Sequence, residues 1–306
     1  MFGMTRNRRV PLALLGAAAL TLGLAACGEK EPADTPGGDS SAPAVAVDEA
    51  LAAKVPDAIK ADGKITVGND PTYAPAEILD TDGTTIIGFN IDLFDAVAAK
   101  LGLEAEYTAS VFDEIIPGVQ SGKYEAGVSS FTINEERTKT VLMVSYFEAG
   151  TQWVTQKGNP QGVNPDDACG KRIAVQSGTV QHEDIEQRSA QCKAANKPEI
   201  IIEPYQSQSD ATAAVVSGKN DAMLADSPVG AEAVQKTNGQ LELLGDIYDS
   251  APYGVVVAKD QQAFAEAIRD AFKAIIADGT YQRILEKWGV QAGGVEASEV
   301  SVHPAS

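Results

Sequence analysis

Two separated stretches of this 306-residue chain read almost alike: Val119-Gln-Ser-Gly-Lys-Tyr-Glu-Ala126 and Val215-Val-Ser-Gly-Lys-Asn-Asp-Ala222. In both, an apolar helix end runs into Ser-Gly-Lys and a strand starts just beyond it. A helix that stops on glycine and hands over to a strand is one step of an α/β layer. Repeating that step in both halves points to two lobes of similar construction, although Ser-Gly-Lys alone is a generic helix stop.

The segments around the repeat agree with it. Lys64–Gly68 and Thr85–Phe89 read as strands, and Ile91, Phe94, Val97, Ala98 and Leu101 recur at helical spacing up to Gly102. Strand Leu103–Thr108, helix Phe112–Ser121 and strand Glu125–Ser129 follow. The pattern restarts after Gly158-Asn159-Pro160 with strand Lys171–Val175, a helix entered at Gly178-Thr179, strand Ile200–Ile202, helix Ser209–Ser217 and strand Asp221–Ala225. An extended run, Tyr253–Ala258, precedes helices Gln261–Ala277 and Thr280–Trp288, and the tail after Gly289 is expected to fray. Strands alternating with single helices predict an α/β fold with a mostly parallel sheet covered by helices. The length allows two domain-sized units.

The N-terminus has a separate purpose. Arg6, Arg8 and Arg9 precede the apolar run Pro11–Leu24, which ends in Leu24-Ala-Ala-Cys-Gly28. A basic start, a short apolar segment and a small-residue cleavage site predict a secretory signal over residues 1–26. Leu-Ala-Ala-Cys resembles the bacterial lipoprotein box, so Cys27 is expected to become the lipidated first residue; a plain signal with a chance cysteine would look similar. Cleavage there removes three arginines and no acids, taking the formal charge from −19 to −22. Residues 27–50 cannot build a core and read as a flexible tether, with a reach of roughly 25 Å for about 20 residues. No other run approaches the roughly 18 apolar residues of a membrane span. The expected location is extracytoplasmic, held at the cell membrane by acyl chains on Cys27.

With 43 acidic against 24 basic side chains, the chain is a poor partner for nucleic acid, since phosphate neutralisation needs a basic stripe. A well-solvated monomer is expected. If Cys27 carries lipid, Cys169 and Cys192 are left as a pair in an oxidising compartment, where a disulfide is expected. Only His182 and His303 accompany them, neither at ligand spacing, so no metal and no cofactor is expected.

The segment richest in chemistry is Gly127-Val-Ser-Ser-Phe-Thr-Ile-Asn-Glu-Glu-Arg137. A short β run breaks at Ser129-Ser130, and Thr132 with Glu135 three residues on has the form of a capping box. That predicts a helix start, whose free N–H groups and partial positive charge suit an anion. Arg137 adds a planar fork for a carboxylate. Alone, the segment also describes an ordinary capped helix with a solvated arginine. In open α/β sheets ligands lie beyond the carboxyl ends of strands, and Asp70–Tyr73, Gln176–Val180 and Asp226 fall there too. Each of these also fits a turn, a helix start or a cap.

In combination the segments resemble one family, the extracellular solute-binding proteins (family 3) that feed amino acids to ABC importers. The resemblance runs over about residues 60–290. It rests on Gly68-Asn-Asp-Pro-Thr-Tyr-Ala-Pro75, Ile87-Gly-Phe-Asn-Ile-Asp-Leu93, Ile116-Pro-Gly-Val-Gln-Ser-Gly122, Phe131-Thr-Ile-Asn-Glu-Glu-Arg137, Val175-Gln-Ser-Gly-Thr179, Asp221-Ala-Met-Leu-Ala-Asp-Ser-Pro228 and Asp278-Gly-Thr-Tyr281. It implies a periplasmic-binding-protein-like type II fold, two α/β lobes joined by a two-strand hinge and closing on a ligand. The implied lobes are residues 51–152 plus 249–290 and residues 153–248, with crossings near Ala149–Trp153 and Asp249–Tyr253 and a tail over 291–306.

The resemblance also implies residue roles. Arg137 stands where the family arginine grips the ligand α-carboxylate, with Ser129, Ser130 and Thr132 around carboxylate and amine. Asp226 stands where the α-ammonium is received, and Gly178, Thr179 and Val180 offer backbone N–H groups. Tyr73 and Phe112 match the aromatics that sandwich the side chain, which also suits a cation. Asp70 sits where some relatives meet a polar or basic side-chain end. Ala76 departs from the usual phenylalanine after Pro75, and Val180 from threonine or glycine, so the side-chain pocket differs while the clamp is kept. The implied function is a non-enzymatic receptor that passes a polar or basic amino acid to the permease of an ABC importer. Two alternatives use the same fold: a cyclohexadienyl or arogenate dehydratase, and the ligand-sensing partner of a membrane kinase.

Overall fold

The computed structural model of the protein describes residues 45–304. The expected signal peptide, Cys27 and most of the expected tether lie outside the described residues.

The spine is a pair of antiparallel strands, Val141–Gln156 and Leu241–Ala258, of 16 and 18 residues. Along the first, Leu142, Val144 and Tyr146 join one core cluster while Val141 and Met143 join another on the opposite face. Burial on both faces is why Val141–Phe147 is almost continuously apolar. On one side of the pair lie the parallel strands Ala126–Gly127, Lys64–Asn69 and Glu104–Ala109. On the other lie Ala222–Asp226, Arg172–Gln176 and Ile201–Tyr205, again mutually parallel. Helices Phe89–Lys100 and Gln262–Ala277 supply much of the core around the first set, including Phe94 and Phe272. Helix Val180–Ala194 packs Ile185 against Trp153 and Val175 in the second. The register of the two long strands breaks between Leu244 and Ala251, where Asp249 takes φ +49.

The sequence echo is also a structural one. Helices Phe112–Gln120 and Gln208–Val216 both end on a serine C-cap, Ser121 and Ser217. Gly122 and Gly218 follow, each at φ +76, before strands that start at Ala126 and Ala222. That left-handed conformation brings a side chain against its own backbone, which is why glycine stands in both copies.

Several expectations give way. The tether ends earlier: Asp48 caps a helix beginning at Glu49, accepting the N–H groups of Ala50 and Leu51 at 3.0 and 3.2 Å, and Leu51 is buried. The strand expected over Thr85–Phe89 shrinks to Ile86–Ile87, because Phe89 already belongs to the next helix. The run from Tyr253 begins back at Leu241; turn-forming Gly245, Asp249 and Ser250 disguised a strand that tolerates them through register shifts. The tail does not fray. Val300 is buried, the Ser145 hydroxyl donates to the Glu299 carbonyl at 2.8 Å, and Val302–His303 pairs with Val141–Gln156. Its partners are distant in sequence, so its local composition carries no sign of them.

Cys169 and Cys192 form a disulfide with their Cα atoms 5.7 Å apart. It ties the loop before strand Arg172–Gln176 to helix Val180–Ala194.

Candidate ligand-binding site

Asp70, Ser129, Gln176 and Asp226 all stand at or just past the carboxyl ends of their strands, drawn from both parallel sets. Gln176 Nε2 donates to Asp70 Oδ2 at 2.6 Å, so the strand ends of the two sets meet directly.

Asp226 is buried and ringed by neutral donors. The Tyr73 and Tyr253 hydroxyls donate to its Oδ2 at 2.9 and 2.8 Å, and Gln181 Nε2 to its Oδ1 at 2.8 Å. The Tyr73 oxygen in turn accepts the Asp226 N–H at 3.0 Å. Burial raises the carboxyl pKa above the usual range, opposed by these donors and by nearby Arg137.

Arg137 lines the same cavity. Its helix, Glu135–Thr140, starts at Asn134, whose side chain accepts the Arg137 N–H at 2.8 Å. The expected capping box at Thr132 is therefore corrected. Thr132 bridges to Tyr253 and the Ile133 N–H bonds the Pro252 carbonyl at 2.8 Å, so pairing with the long strand holds Thr132 extended. Asparagine serves equally well as the cap. A helix of six residues adds little dipole, and the attraction for an anion rests on the guanidinium itself. That group donates to the carbonyls of Thr132 at 2.7 Å and Gly178 at 3.1 Å. It also lies 5.5 and 5.6 Å from the ring centres of Phe112 and Phe131, which stack on each other at 4.6 Å. Neutral carbonyls are weaker partners for a guanidinium than a carboxylate, so these bonds are replaceable.

Asp70 stands behind Gln176, whose amide donates to it. Burial lifts its pKa to about 6, against hydrogen bonds from Thr72, Gln176 and the Phe112 backbone. Its own N–H donates to Ser129 Oγ at 3.1 Å. Thr179 caps helix Val180–Ala194 by accepting the His182 N–H at 3.1 Å, as its place after Gly178 predicts.

Tyr73, Phe112, Ser130, Thr132, Arg137, Thr179, Val180 and Asp226 line one cavity of about 10 Å³, together with Gln176 and Gln181. Asp70, Ser129 and Gly178 are not in its lining; they hold its walls through the contacts just given. A space of this size admits about one water molecule, so the two strand sets are drawn closed over the site. Gln181, and the buried Glu77 and Asn90 behind Ser130, were missed in the sequence. Gln181 had a readable signal, lying two residues past the Thr179 cap on the first turn of a helix; Glu77 had only its place after Pro75-Ala76. A larger groove of about 1000 Å³, lined in part by Glu148, Ser250, Glu286 and Trp288, gathers none of the predicted site residues.

Two parallel strand sets flanking a continuous strand pair, with a polar cavity where their carboxyl ends meet, define the periplasmic-binding-protein-like type II architecture expected above. Residues 65–291 match the bacterial extracellular solute-binding proteins, family 3, and the chain belongs to that family. It is 36% identical to the arginine-binding protein of Corynebacterium glutamicum over 298 residues, covering 97% of each chain. An ancestral arginine-binding protein solved with arginine is 35% identical, with a TM-score of 0.68 over 74% of this chain and 98% of that one. An ancestral amino acid-binding protein described as a precursor of cyclohexadienyl dehydratase is 30% identical, with a TM-score of 0.68 over 76% and 98%.

Proposed function

We propose that this protein is the extracytoplasmic receptor of an amino-acid ABC importer and that it binds an amino acid with a cationic side chain, arginine being the foremost candidate. The observation that carries this is that Arg137 and Asp226 both line one small cavity. The first suits an α-carboxylate and the second an α-ammonium. Discrimination follows because a ligand lacking either charge leaves a buried partner unpaired. Asp70 tips the side-chain preference towards a cation: burial already strains its ionised form, and a guanidinium or ammonium would relieve that strain. The names of the arginine-binding relatives point the same way.

In this reading the lobes are residues 51–152 with 249–290 and residues 153–248. They hinge where the long strands lose register, near Ala149–Trp153 and Asp249–Tyr253. Cys27 carries the lipid anchor, and the monomer delivers its ligand to a permease. The names of the relatives are those of binding proteins; assaying prephenate turnover checks the dehydratase alternative directly.

Titration calorimetry with a panel of amino acids tests the proposal. Arg137→Ala is expected to cost about 2–5 kcal/mol, at least about 30-fold in Kd. The reading is wrong if no amino acid binds wild type more tightly than about 1 mM, or if Arg137→Ala binds equally well.

A further inference from the structure

Glu77 is a fully buried carboxylate to which the clamp assigns no task. Its Oε2 accepts Asn90 Nδ2 at 2.6 Å, and its Oε1 lies 2.9 Å from Ser130 Oγ and 3.4 Å from Ser129 Oγ. Asn90 Nδ2 also reaches Ser130 Oγ at 3.0 Å, while Asn90 Oδ1 accepts the Tyr146 hydroxyl at 2.9 Å, which sets the orientation of the amide. Ser130 lines the cavity and holds φ +53, a left-handed conformation unusual for a residue with a side chain.

Asp70, Tyr73, Tyr107 and Tyr146 are near enough for their charges to be felt at Glu77, and all four are acids. Burial raises its pKa well above the carboxylate range, opposed by Asn90 and Ser130, with Asp70 adding to the rise. Two proton arrangements are open to this cluster. An ionised Glu77 would draw the Ser130 hydroxyl proton inward and present a lone pair to the cavity. A neutral Glu77 donates its own proton to Ser130 Oγ, and the Ser130 hydroxyl is then free to point into the cavity as a donor.

We propose that Glu77 is a positioning residue that works as a neutral acid: by donating to Ser130 Oγ it turns the Ser130 hydroxyl outward to bond the ligand carboxylate beside Arg137. This rests on the amino-acid reading of the cavity. The buried hydrogen-bond set carries it, with no ion pair to Glu77 among the described residues.

The test is titration calorimetry of the mature protein with L-arginine, from about pH 6 to about pH 9, a range above the ordinary carboxylate values. In Glu77→Gln the amide N–H can replace the acid proton while its carbonyl still accepts from Asn90. That variant is expected to bind within about threefold of wild type near pH 6, whereas Glu77→Leu weakens binding about tenfold or more. Where raising the pH removes the Glu77 proton, wild-type affinity falls relative to Glu77→Gln. Should Glu77→Leu fail to fold, Ser130→Ala supplies the second arm, since it is expected to abolish the alkaline difference between glutamate and glutamine at position 77. A tenfold loss in Glu77→Gln with an unchanged unfolding temperature overturns the proposal, as does a folded Glu77→Leu that binds like wild type. Wild type that binds no amino acid sinks the receptor reading, and with it the task assigned to Glu77, whereas losses confined to Glu77→Gln leave the receptor reading standing.

Discussion

Replacing Asp70 by asparagine is expected to stabilise the ligand-free protein while weakening its hold on a cationic side chain. Asp70 is 3% exposed, and burial lifts its pKa from 3.8 to about 6. A difference of about 2 units corresponds to about 3 kcal/mol. The sign comes from counting protons. Between the two values the folded protein holds a proton that the unfolded chain has lost, so stability falls as pH rises through that window. Below 3.8 both states are protonated and there is no penalty; above about 6 the penalty is complete. Opening the cleft would let water reach Asp70, so the free energy of opening caps the cost and about 3 kcal/mol is the upper bound. Asparagine keeps an acceptor for Gln176 and removes the charge. Scanning calorimetry should show Asp70→Asn matching wild type near about pH 4 and gaining above about pH 6, by about 2–4 °C in Tm per kcal/mol. In parallel, the affinity for arginine should drop while Arg137 still holds the α-carboxylate. A variant less stable than wild type at neutral pH, or a gain that does not grow between those pH values, refutes the reasoning.

Two other changes probe closure and stability. Gly178→Ala would set a Cβ 2.8 Å from Asp113 Cβ at φ +75. In the proposed lobe assignment Asp113 lies across the cleft from Gly178, so this contact should disfavour the closed form, seen as roughly tenfold weaker binding and a larger radius of gyration by small-angle scattering; unchanged affinity counts against it. Replacing both Cys169 and Cys192 by serine opens a loop with a sequence separation of 23. The chain-entropy model puts the loss at about 3.4 kcal/mol. It should appear in urea unfolding with arginine affinity unchanged, because neither cysteine lines the cavity.

What the sequence determined by itself is what short-range chemistry can encode. Helical spacing announced the helix that carries Phe94, and the paired Ser-Gly-Lys stops announced two like steps of an α/β layer. Arg137 and Asp226 were legible because each sits in a motif whose turn and cap residues are local. Thr132 shows where this ends. Its capping box is valid chemistry, but a bridge to Tyr253 from a distant strand takes the residue, and Asn134 does the capping. The same holds for the tail that pairs beside Val141–Gln156, and for the strand that reaches back to Leu241 across turn-forming residues. Glu77 lies 53 residues from Ser130 in sequence, and only the folded chain puts them 2.9 Å apart. Local periodicity and capping are written in neighbouring residues. Which distant groups share a buried site is decided by strand pairing, which one chain's sequence does not spell out.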